Sequence, residues 1–125
     1  MSITYSFRIA PDDMPVRGNA MASGDGAFDR EVEDEIIARL NRGEVEAWCV
    51  VIVTATIKVD GQTFKGEAAL GGCSYASEVE IKAEFFEADS HGLKNEAVTH
   101  LEEVLVDAVR RGAAAQGALM TLGKG

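Results

Sequence analysis

An α+β domain is predicted, an antiparallel sheet with two helices packed on one face in the order β-α-β-β-β-α. Three observations predict it. Residues 3–9 alternate apolar and polar, and Val45 to Val59 carry an apolar residue at every odd position. Asp60-Gly61 then supplies the strongest two-residue hairpin signal, because both central residues of a type I′ turn need positive φ. Two other stretches repeat apolar residues at helical spacing and lie either side of that hairpin.

The first strand places Ile3, Tyr5, Phe7 and Ile9 on one face, and Pro11 ends it. Residues 10–26 hold both prolines and read as a long loop of the kind that is often functional. A helix is predicted over about 27–42, with Phe28, Val32, Ile36 and Leu40 as its buried stripe. Ser23 or Asp25 can cap it, and Gly43 stands where a left-handed terminator belongs. The turn at Asp60-Gly61 pairs Val59 with Gln62, and the remaining register follows: Ile57 with Phe64, Val53 with Ala68, Val51 with Leu70. Continued unbroken, it sets Trp48 across from Cys73.

Residues 78–89 pull two ways. Val79, Ile81, Ala83 and Phe85 alternate with charges and predict a strand. Ser77 and Glu80 have the spacing of a capping box, which opens helices. The unbroken alternation favours the strand. A last helix is predicted over about 92–111, capped by Ser90 and burying Leu93, Ala97, Leu101, Leu105 and Ala108. The domain is thus expected over 1–112, with a mobile tail over 113–125.

With 125 residues the chain is long enough for one self-sufficient core. Its 21 acids against 12 Lys and Arg give a formal charge of −9, which repels nucleic acid and anionic membranes. No run of the sequence reaches the length of a spanning helix and the first residues do not read as a signal peptide, so a cytoplasmic protein is expected.

Two cysteines occur. Cys49 lies on the odd, inward face of its strand, whereas the unbroken register turns Cys73 to the other side, so no disulfide is expected. Cys73, within "LGGCSYAS", could be a nucleophile only with a lowered pKa from His91 or His100. Its position at a strand end, with no matching His and Asn context, argues against an enzyme. Glu96, His100, Glu103 and Asp107 share one side of the last helix, but a second histidine for a metal site is missing. No metal or cofactor is expected.

Trp48, Val50, Ile52 and Ala69 gather on the even face of the hairpin, and Cys73 and Tyr75 extend the group. If both helices cover the odd face, this apolar centre is left as an interaction surface, for a host protein or a second copy of the chain. The alternative is that the long loop or the tail folds over it. "DREVEDE" carries five acids in seven residues; Glu31, Asp34 and Glu35, with Glu96, Glu103 and Asp107, could steer a basic partner.

The run "EVEDEIIARLNRGEVEAWCVVIVTA", followed by a hairpin and "LGGCSYAS", resembles a group of small proteins carried by phages and mobile elements. The resemblance spans about residues 15–77 and brings no catalytic residue with it. It implies a genomic context in which short acidic proteins block host defences, so an anti-restriction or anti-CRISPR inhibitor acting by protein contact is the expectation. A homodimeric accessory protein, and a thiol enzyme using Cys73, are the other readings.

Overall fold

A computed structural model describes residues 2–111. Strands β1 (Thr4–Pro11), β2 (Cys49–Val59) and β3 (Gln62–Cys73) form one antiparallel sheet in the order β1-β2-β3. Helix α1 (Gly26–Asn41) joins β1 to β2 through a short 3-10 turn at Val45–Ala47. Helix α2 (Glu78–Lys82), extended by a π-helical turn at Ala83–Glu87, and helix α3 (Leu93–Arg110) follow the sheet. The chain is therefore α+β. The predicted tail lies outside the described residues.

The hairpin has the predicted register from Val59–Gln62 to Val51–Leu70, and Asp60 and Gly61 both take positive φ, 50° and 80°. Beyond Leu70 the register slips by one. Gly71 and Gly72 together face Val50, a β-bulge, so Cys73 pairs with Cys49 instead of Trp48. Gly72 takes φ 68°, and the Asp12 carboxylate pins its N–H at 2.7 Å. The bulge overturns the expectation that the thiols point to opposite sides. Both lie in the same buried core cluster.

That core occupies one face of the sheet. Val51, Val53, Ala55 and Ile57 meet Leu93, Ala97, Leu101, Leu105 and Ala108 of α3, the stripe predicted for the last helix. Gly66 permits the approach: a Cβ there would lie 2.2 Å from the Leu101 amide nitrogen. Ile81 and Phe85 complete the core above β1, where the rings of Phe7 and Phe86 lie 6.0 Å apart.

Of residues 78–89, Glu78–Lys82 and Ala83–Glu87 are helical, a correction to the predicted third hairpin strand. The Ser77 hydroxyl accepts the Glu80 N–H at 3.3 Å, and Ile81 and Phe85, four apart, form the buried stripe. The local cap and the helical pair outweigh the alternation. Two helices do share a face, but they are α2 and α3. Helix α1 packs instead on the 3-10 turn and Trp48. Asp25 caps α1 by accepting the N–H groups of Ala27 and Phe28 at 3.1 and 3.2 Å. Of its predicted stripe only Ile36 is buried, and Phe28 is 47% exposed. At α3 the cap is Gly92 in left-handed geometry, with no side-chain bond from Ser90.

Candidate interaction site

The predicted apolar surface does not exist as an exposed unit. Trp48 is 3% exposed, packed with Val16, Ile36 and Ala47. Its indole N–H donates to the Met14 carbonyl at 2.7 Å. The long loop is the cover. It is held by Glu33 of α1, a buried acid that accepts the Gly18 N–H at 2.8 Å and a guanidinium hydrogen of Arg17 at 3.2 Å. Ile52 is buried and Val50 half-buried, while Ala69 stays exposed. Trp48 is thus a core residue and not a docking anchor.

The end of "LGGCSYAS" is tied to α1 and the 3-10 turn. Arg39 donates to the carbonyls of Tyr75 and Ala76 at 2.8 and 3.3 Å, and the Tyr75 N–H reaches the Glu46 carbonyl at 2.9 Å. Burial pushes the Cys49 thiol up to about 11, with the neighbouring Cys73 adding to it. Burial and the Asp12 charge raise Cys73 as well. A nucleophilic thiol needs the opposite shift. The two histidines have other work: His91 Nε2 lies 2.7 Å from Glu84 Oε2, and His100 Nδ1 accepts the Glu67 N–H at 2.8 Å.

Glu84 also accepts the Tyr75 hydroxyl, and the His91 ring stacks on Phe85 at 4.2 Å between centroids. That hydrogen bond holds the Tyr75 phenol up to about 12 and, with His91, draws Glu84 below the usual carboxylate range. Sequence reasoning missed this cluster because it placed Glu84 on a strand. The steering acids are all exposed, on α1 (Glu31, Asp34, Glu35) and α3 (Glu96, Glu103, Asp107), but two are engaged: Asp34 with Arg17, Asp107 with Arg111. Among the described residues no three His, Cys, Asp or Glu side chains are placed to hold a metal, and no helix is long and apolar enough to cross a membrane.

A different surface stands out at the opposite edge of the sheet. Both outer strands could pair with another chain, but they differ. On β3, His100 takes the outward Glu67 N–H, and charged Lys65 and Glu67 are exposed. Along β1, among the described residues, no loop or helix backbone is hydrogen-bonded. Beside it runs a groove of about 440 Å³ between Tyr5, Ser6 and Phe7 of β1 and Glu78, Val79, Lys82 and Phe86. Val79 is 78% exposed, the most exposed large apolar side chain among the described residues. It is so because α2 turns Ile81 and Phe85 inward and leaves residue 79 off the stripe. The Ser77–Glu80 spacing was the signal that could have found it.

No protein-family model, curated protein or solved structure matches the chain.

Proposed function

We propose that this protein is a non-enzymatic binding module that takes an extended segment of another protein as a fourth strand along β1. The observation that carries the reading is the edge of β1, unpaired among the described residues, beside a groove walled by Tyr5, Phe7, Val79 and Phe86. Strand addition gives affinity through main-chain hydrogen bonds, and a flanking groove selects alternate side chains. The raised thiols support a binding role over a thiol enzyme. An inhibitor of host defence is one setting for such a module, as the resemblance to mobile-element proteins implies, and the exposed acids of α1 and α3 could steer a partner whose surface outside the bound segment is basic.

The test is selection of short unstructured peptides on the protein, with counter-selection on Val79→Asp. The selected ligands are expected to slow hydrogen exchange of the β1 amides. Ligands that leave β1 exchange unchanged would overturn the reading.

A further inference from the structure

The charges around the groove specify its occupant further, on the footing that a strand does add to β1. In a chain of net charge −9, Arg8 stands on this strand, Lys82 lines the groove and Lys94 reaches two of its rings. The Lys94 ammonium lies 4.5 Å from the Phe86 ring centre and 5.5 Å from that of Tyr5, so it sits over the aromatic side of the groove. Arg8 is exposed on the open face of the same strand, next along that face from Ser6 and Thr4. Among the described residues none of the three has a carboxylate within ion-pair distance, whereas Arg17, Arg39, Arg42 and Arg111 all do. Among the described residues Glu78 is the one acid lining the groove. Asp89 also accepts the Lys94 N–H at 3.4 Å, so three cations against two acids leave this edge weakly basic on an acidic protein.

An added strand directs alternate side chains to the two faces of the sheet. One set falls against Tyr5, Phe7, Val79 and Phe86, and requires apolar groups. The other runs along the open face past Thr4, Ser6 and Arg8, where carboxylates find hydroxyls and a guanidinium. Lys82 and Lys94 offer further cations at the groove for an acid near either end of the segment. We infer that the β1 edge binds an extended acidic peptide segment in which apolar and acidic residues alternate. A second copy of this chain is the poorer occupant, because Thr4–Pro11 carries no carboxylate to meet Arg8, Lys82 and Lys94, and each copy has a net charge of −9.

The probe is a fluorescein-labelled Glu-Val-Glu-Ile-Glu-Val amide, compared with a Lys-Val-Lys-Ile-Lys-Val amide, by anisotropy and by hydrogen exchange of β1. The acidic peptide is expected to bind at least about tenfold more tightly. R8E combined with K82E, both exposed positions, should reverse the order while circular dichroism stays unchanged. Equal binding of both peptides, or preference for the lysine one, with β1 amides protected, overturns the acidic specificity and leaves strand addition standing. Failure of both peptides to bind or protect β1 removes strand addition as well. A dimer in sedimentation that Val79→Asp dissolves and the acidic peptide cannot displace assigns the edge to a second copy and overturns the inference.

Discussion

Gly66 is where a single atom costs most. A Cβ at this position would stand 2.2 Å from the Leu101 amide nitrogen, 2.4 Å from the Ala97 carbonyl oxygen and 2.6 Å from Leu101 Cα. All three are helix backbone, so relief requires α3 to lift from β3. Gly66→Ala should destabilise the protein by about 3 kcal/mol or more, read as a lower urea midpoint, at the top of the range for overpacking. The thiols give a second prediction. The Cys49 pKa rises from 9.0 to about 11 in the fold. A group raised in this way contributes stability below its unfolded value, and that stability is lost as pH climbs from about 9 through about 11. Dithionitrobenzoate at pH 7 should label both cysteines slowly in the native protein and rapidly in urea. Prompt native labelling of Cys73 would revive the thiol enzyme.

Helix α2 shows how a short element decides what a surface offers. Its residues alternate as a strand would, and only the Ser77 cap and the Ile81–Phe85 pair distinguish the two outcomes. Ser77→Ala should cost about 1 kcal/mol and loosen the groove wall, measured as faster exchange of the Glu80 and Ile81 amides. The hairpin was legible because its turn chemistry and its alternation are both local and agree. Its last step was not, since the bulge at Gly71-Gly72 is fastened by Asp12, sixty positions earlier in the chain. The loop's cover over Trp48 was one of two readings left open, and the choice was not legible for the same reason: it depends on Glu33 holding the loop at Arg17 and Gly18. Trp48 is the sole tryptophan, so emission of the native protein should be blue-shifted. Glu33→Ala should shift it to the red as the loop loosens.

Charge couples stability and binding across the whole molecule with opposite signs. With 21 acids and 12 Lys and Arg, the folded chain repels itself at neutral pH, and salt screens that repulsion within a Debye length of about 8–10 Å. Raising sodium chloride from about 20 to 200 mM should therefore raise the melting temperature by a few degrees. Few stabilising ion pairs oppose this, because Arg17–Asp34, Arg42–Glu44 and Arg111–Asp107 are surface pairs worth little. Lowering the pH relieves the same repulsion as carboxylates gain protons. Two carboxylates act against that trend. Glu44, beside Arg39 and Arg42, and Glu84, beside Tyr75 and His91, both have folded pKa values below the ordinary 4.5. Their stabilisation is present above that value and is lost as pH falls through the folded one. The two effects cross near the carboxylate range, so maximal stability should fall at about pH 5, near the acid end of the usual window. Acidic-peptide binding at β1 responds in the opposite sense, since the salt that strengthens the fold screens Arg8, Lys82 and Lys94 from the ligand. A thermal melt and a peptide titration, each at low and high salt, should move apart. Parallel movement would mean that the overall negative charge, not the local basic edge, governs the encounter.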